Sequence, residues 1–412
     1  MISIKIYNIL NKIFVNNNMS GCIKYPILFS GGNIDNIYDY NLKKSKDKGF
    51  KNSKKNNQNL LFDSEFKYDC ENFEEIPHIL PAKKRIIAIG DLHGDHDLTI
   101  NCLKLAKVID YKLNWIAKPK DTVVVQIGDQ VDRCRPLVGS KCNDPKTTLK
   151  DEGSDIKIIN LFNELNKKAK KYNGAVISLL GNHEIMNVQG NMNYVSYEGL
   201  KQFEDEIDPE TGIKFESGMA ARKYLFKRGN KYANLMACTR QTAVIIGSNL
   251  FVHAAIVPKL AKLYDVRDIN VMVRKWLLKQ FSSNKNIEGI GKLKDILVNY
   301  EVSPFWPRLL GSLPPDMNID DDKCIEYLDE TLNLYKCNNI IIGHTPQFYS
   351  NKTGISSTCK GINKQNEKNM GVWRIDTGSS KAFESFDSEI NSDIRQPSIL
   401  EILDDNKFNI IT

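Results

Sequence analysis

Four of the chain's six histidines, His93, His183, His253 and His344, stand at the ends of short apolar runs. Asp91 and Asp129 each follow an apolar run that closes with Gly, and Asn182 sits between Gly181 and His183. Imidazole, carboxylate and amide oxygen together are donors for manganese, iron or zinc. Two such cations, about 3.5–4 Å apart, neutralise the oxygens of a phosphoester and lower the pKa of a bound water. The pair needs one carboxylate in common. The chemistry within reach is therefore metal-assisted phosphoester hydrolysis. One such residue after a strand is an ordinary cap or turn residue; five strand ends of this kind in one chain point to a site.

To converge, these residues need a scaffold that brings strand ends together. Arg85–Ile89, Thr122–Ile127 and Ala175–Leu180 read as buried strands. Helical spacing separates them, over Thr99–Val108 and over Asp155–Lys171, where Ile158, Ile159, Phe162 and Leu165 share a side. This is the βαβ alternation of an α/β fold with a parallel sheet. In such sheets ligands collect beyond the carboxyl ends of the strands. Thr242–Ile246 and Leu250–His253 flank Gly247-Ser248-Asn249 as a hairpin. Asn339–Ile342 is a further strand before Gly343-His344. Val372–Ile375, Ile399–Leu403 and Phe408–Ile411 close the chain as β-structure. Helical inserts are expected over 190–240 and 258–335.

Of 412 residues, 41% are hydrophobic, enough for a sizeable core, and the net charge is only +7. Lys43–Gln58 is nearly devoid of apolar residues and cannot offset its own ordering entropy. Residues 1–80 are expected to be a low-complexity tail and 81–412 the catalytic domain. No apolar run is long enough to span a bilayer, and no secretory signal is legible at the N-terminus. The nine cysteines show no disulfide or zinc framework, which fits a reducing, cytoplasmic setting. Cys134 reads as a small buried residue, ahead of a redox-sensitive thiol. Asp95 is a plausible N-cap. No basic-aromatic stripe for nucleic acid crosses the catalytic region, and the chain is expected to act as a monomer.

The strings Gly90-Asp91-Leu92-His93-Gly94, Gly128-Asp129-Gln130-Val131-Asp132-Arg133 and Gly181-Asn182-His183-Glu184, with Val252-His253 and Gly343-His344-Thr345, resemble the signature of the PPP-type protein phosphatases. Asn182 to Asn187, Pro304-Phe305-Trp306-Pro307-Arg308 and Ile375-Asp376-Thr377-Gly378 look most like the Shewanella-like members. The resemblance implies the calcineurin-like metallophosphoesterase β-sandwich flanked by helices. It assigns one metal to Asp91, His93 and Asp129, and a second to the shared Asp129, Asn182, His253 and His344. Manganese is the expected metal, with iron and zinc as alternatives. His183 would be the general acid, oriented by Asp132, and Arg133 and Arg308 would grip the phosphate. A metal-bridging hydroxide would attack in line, on a phosphorylated protein, without a phosphoenzyme. The usual second histidine of nucleases and phosphodiesterases is missing after His344, which favours the phosphatase branch. A dinucleoside-polyphosphate hydrolase and a catalytically weak phospho-binding module are the alternatives. Cys134, Ala254 and Ala255 stand where such relatives carry glycine. A left-handed backbone at any of them would cost about 1 kcal/mol.

Overall fold

The computed structural model describes residues 66–136, 139–349, 354–362, 367–386 and 395–412. Residues 1–65 of the expected tail lie outside the described residues. The remainder of that stretch is not a tail. The helix Phe66–Asp69 and β1 (Ile79–Leu80) are packed into the fold, with Phe66, Cys70, Ile76 and Leu80 buried.

The next strands are β2 (Arg85–Ile89), β3 (Val123–Gln126), β4 (Ala175–Leu179), β5 (Arg240–Gln241), β6 (Ala243–Ile246) and β7 (Asn249–Val252). A small hairpin, β8 (Asn286–Ile287) and β9 (Gly291–Lys292), follows. The last strands are β10 (Asn339–Ile342), β11 (Ser356–Ile362), β12 (Asn369–Arg374), β13 (Ile399–Leu403) and β14 (Lys407–Ile411). They form two six-stranded sheets, ordered β1-β6-β7-β10-β12-β11 and β14-β13-β2-β3-β4-β5. β2, β3, β4 and β5 run parallel, as do β7, β10 and β12.

Why the strands read as unbroken apolar runs is now visible. Every residue of β2 is buried. Ile86 and Ala88 join Val123, Val125, Ile177, Val244, Phe251 and Ile341 in the core between the sheets. Ile87 and Ile89 face the other way, onto a cluster with Ile158, Phe162 and Leu165 of the helix Asp155–Lys170. A parallel strand covered on both faces has no polar side to show. Each such side chain contributes roughly 1.5–3 kcal/mol by leaving water.

The expected inserts are helical: Tyr197–Lys201, Gly218–Phe226 and Lys231–Thr239 in the first, Val266–Leu277, Leu293–Val298 and Glu330–Tyr335 in the second. The second also holds β8–β9 and a π-turn at Ile325–Asp329. Among the described residues no helix is long and apolar enough to cross a membrane.

The cysteines depart from expectation. Cys70–Cys238, Cys134–Cys142 and Cys324–Cys359 are disulfides, and Cys102 and Cys337 are free and buried. Cys134 is therefore neither a reactive thiol nor an unpaired packing residue. The partners lie 168, 8 and 35 residues apart, spacings that match no framework and follow from tertiary contact alone. Cys70–Cys238 fixes the end of the helix Phe66–Asp69 to the helix Lys231–Thr239. Replacing both cysteines by serine is expected to lower unfolding stability by about 2–5 kcal/mol in non-reducing urea titrations. An unchanged midpoint would show that the bridge carries no stability.

Candidate active site

Both sheets deliver donors from their carboxyl-terminal edges. β2 leads to Asp91 and His93, β3 to Asp129, β4 to Asn182, β7 to His253 and β10 to His344. All six are buried. Their convergence demands unusual backbone. His93, Asp129, Asp132 and His344 have φ of 46°, 53°, 74° and 65°. Such residues persist only where the surroundings enforce them, and they concentrate at functional sites. Gly128 (φ 102°) has no alternative, since a Cβ there would lie 2.7 Å from the Gly181 nitrogen and 2.9 Å from His253 Nδ1. Cys134, Ala254 and Ala255 are absent from the positive-φ residues, so the strain expected at them does not arise.

Asp129 is the centre. Its Oδ2 lies 3.4 Å from His253 Nε2, 3.9 Å from His93 Nε2 and 3.8 Å from His183 Nε2. Two donor groups share it: Asp129 with His93 and His183, and Asp129 with His253 and His344, each within 4.8 Å. Asn182 Oδ1 lies 3.0 Å from His253 Nε2 and 2.9 Å from His344 Nδ1. The outward nitrogen of the His93, His253 and His344 rings meets a main-chain carbonyl: His93 Nδ1 at Val131 (3.4 Å), His253 Nδ1 at Ile127 (3.0 Å) and His344 Nε2 at Trp306 (2.9 Å). A carbonyl only accepts, so each outward nitrogen carries the proton and the inward one keeps its lone pair. Burial, then the charge of Arg135, pushes His93 well below its ordinary pKa. Burial, then Arg308, does the same to His344. Both rings are thereby held neutral, the form that ligates metal. Burial alone would raise the Asp129 carboxyl, but His253 and His183 hold it well below the usual range. Asp91 Oδ2 accepts from the His344 amide at 3.0 Å, and its Oδ1 has no partner among the described residues. Converging lone pairs, an anionic centre and an orphaned carboxylate oxygen fit a pair of divalent cations.

His183 differs from the other rings. Its Nδ1 is 2.7 Å from Asp132 Oδ2, a carboxylate rather than a carbonyl. Asp132 Oδ1 accepts from Asn187 Nδ2 at 2.8 Å. Arg222, fully buried, donates to Asn187 Oδ1 (2.8 Å) and to Asp155 Oδ2 (2.7 Å). The pair is thus fixed by a network that reaches into the first insert. His183 also meets Tyr194 edge to face, 5.1 Å between centroids.

Three further residues belong to the site and were given no definite role by sequence reading. Glu184 accepts from the amides of Gly181 (2.7 Å), Gln130 (2.8 Å) and Asp129 (3.0 Å), tying the second and third motifs together. Its place beside Asn182-His183 was the only hint. Arg135 donates to the carbonyls of Asp132 and Cys134, and its guanidinium packs on Tyr194 (5.6 Å) and Phe383 (4.8 Å). Nothing in the sequence marks it except its closeness to Arg133. Asp376 is a further acidic group just past a strand, here β12; a search of all strand ends for acidic side chains would have caught it. Burial, then Asp129, pushes its carboxyl up to about 6, against the Gly378 amide that opposes the rise. Arg133 is 1% exposed, and none of its guanidinium nitrogens has a partner among the described residues. Arg308 is half-buried, and its charge acts on both His344 and Asp376.

Comparison with known proteins agrees with this geometry. The model of the calcineurin-like phosphoesterase family matches residues 84–348. An uncharacterised protein of Acanthamoeba polyphaga mimivirus is 39% identical over 61% of this chain and 97% of its own length. Shewanella-like protein phosphatase 2 of Arabidopsis thaliana is 26% identical over 80% of this chain and 78% of its own. Among solved structures, a cold-active protein tyrosine phosphatase superposes with a TM-score of 0.54 at 18% identity, over 85% of this chain and 83% of that one, a likeness of fold. The two-sheet sandwich and the family match together make this chain a member of the calcineurin-like phosphoesterase family, a metal-dependent hydrolase.

Proposed function

We propose that the chain is a protein phosphatase that cleaves phosphomonoesters on protein substrates with two divalent metal ions, manganese foremost, with iron or zinc as alternatives. The observation that carries this reading is Asp129 standing in two donor groups at once, beside a His183–Asp132 pair at 2.7 Å. Asp91, His93 and Asp129 would hold one ion, and Asp129, Asn182, His253 and His344 the other. When bound, the ions supply charge neutralisation at the phosphoryl oxygens and a water of lowered pKa.

The chain's own residues do the rest. Arg133 offers a buried guanidinium whose nitrogens lack protein partners, which suits the fork geometry of phosphate recognition. Arg308 joins it from the half-buried segment after Trp306. As the phosphorus–oxygen bond breaks, His183 gives its Nε2 proton to the leaving oxygen. Asp132 keeps the proton on Nδ1 and stabilises the ring before transfer. The names of the Arabidopsis and Plasmodium berghei relatives, both Shewanella-like protein phosphatases, support a phosphoprotein substrate. All the donors belong to one chain, so the proposed site needs no second copy to be complete, and the monomer is proposed as the acting species. Three disulfides favour an oxidising compartment over the cytoplasm.

A panel of phosphoserine, phosphothreonine and phosphotyrosine peptides, with manganese or with chelator, tests the reading. Chelator-sensitive turnover of peptides is expected. Faster turnover of diadenosine tetraphosphate than of any peptide would replace it with a dinucleoside-polyphosphate hydrolase. Peptide binding without turnover in manganese would replace it with a phospho-binding module.

A further inference from the structure

We infer that Asp376 is a fourth protein donor to the metal position of Asp91, His93 and Asp129. The inference rests on the two-ion reading above. That reading leaves the two positions unequal. One has four donors from the chain, the other three, and Pro346 stands where a Gly-His-x-His motif would carry its second histidine.

Asp376 is placed to fill the difference. The Ile375 amide donates to the Ile342 carbonyl at 2.9 Å, so the chain leaving β12 runs beside the chain leaving β10 toward His344. It passes so close to the first motif that a Cβ on Gly90 would lie 2.2 Å from the Ile375 oxygen. Asp376 is 1% exposed. Its Oδ1 accepts from the Gly378 amide at 3.0 Å, and its Oδ2 has no partner among the described residues. That same Cβ on Gly90, the residue before Asp91, would lie 3.4 Å from the Asp376 Cα, and Asp91 Oδ1 is the other orphan. An ionised carboxylate only accepts. Two of them, buried close together, require a cation or a shared proton nearby.

The surrounding loop fixes this arrangement. The Lys381 amide donates to Asp95 Oδ2 at 2.8 Å, and its ammonium reaches Glu152 (2.6 Å) and Asp97 (2.9 Å). Arg395 donates to the carbonyls of Gly378 (2.8 Å) and Ser380 (3.0 Å). Phe383, on the same loop, lies against His93 at 5.5 Å between centroids. The loop that carries Asp376 is thus pinned to the first motif at several points.

The test is a titration of the metal-free full chain with Mn²⁺ alone, read by calorimetry and by the paramagnetic resonance of free Mn²⁺, without substrate. The substitution is Asp376→Asn. The amide keeps the size of the side chain and can donate to Asp91, as a shared proton would. Wild type is expected to bind two ions. The variant is expected to bind one of them about 10–100-fold more weakly and the other unchanged. Two wild-type affinities in the variant would overturn the inference and leave Asp376 as the holder of a shared proton. Should Asp376→Asn not fold, Asp376→Ser takes its place with the same two outcomes. Fewer than two ions on wild type would sink the two-ion reading itself, whereas two ions and an unmoved variant sink only the role of Asp376.

Discussion

Asp129→Asn is expected to lower kcat/KM on a phosphomonoester by on the order of 10³-fold and to leave fewer than two ions on the purified protein. The reason is the position of its Oδ2, 3.4 Å from His253 Nε2 and 3.9 Å from His93 Nε2. An amide is neutral and presents one oxygen, so it cannot serve as an anionic bridge. A factor of 10³ corresponds to about 4 kcal/mol of transition-state stabilisation, in keeping with the several kcal/mol that metal-ion catalysis supplies. The backbone has no reason to move: Asn retains Oδ1 to accept from the His183 amide, as Asp129 does at 3.0 Å. Metal analysis with steady-state kinetics reads both effects. Wild-type turnover with two ions bound would remove Asp129 from the centre of the site.

His183→Asn separates acid from ligand. His183 lies close enough to Asp129 to count as a donor, at 3.8 Å. The 2.7 Å bond to Asp132 argues for proton transfer instead. If it is the acid, kcat falls by about 10²–10⁴-fold with both ions retained. The loss should be smaller for a nitrophenyl phosphate than for phosphoserine, because a good leaving group needs less protonation. Asp132→Asn should lower kcat less, since the ring survives while its tautomer and charge support weaken. Loss of one ion from His183→Asn, with equal effects on both substrates, would make His183 a ligand.

How much of this was legible in the sequence depends on which interactions carry the information. The donors were legible because each is local: an apolar run buried on both faces, a glycine that lets the chain turn, then a side chain with a lone pair. β2, β3, β4 and β10 all end this way. The sandwich followed from the resemblance and from the alternation of strand and helix. Residues 66–80 were misread because their partners are remote: Cys70 meets Cys238 and β1 pairs with β6. Disulfide pairing is a property of the folded contact map, so spacing alone did not show it. β11 was missed because Ser356–Ile362, with Thr358, Lys360 and Gly361, is not an apolar run; it pairs with β12 and, through Lys360, with Asn318 at the sheet edge. Glu184 and Arg135 escaped definite roles for a related reason. What they do is set by main-chain amides, carbonyls and aromatic rings from distant segments, which no local spacing encodes. The strain expected at Cys134, Ala254 and Ala255 came from comparison with glycine-bearing relatives. The backbone here takes ordinary φ at all three positions, so the substitutions carry no cost of that kind.

Anomalous diffraction at the manganese edge, from crystals of the metal-loaded chain, tests the central claim most directly. Two peaks are predicted, both in contact with Asp129, one on the side of Asp91 and His93 and the other on the side of Asn182, His253 and His344. A single peak, or a peak coordinated by His183 in place of Asp91, would contradict the account.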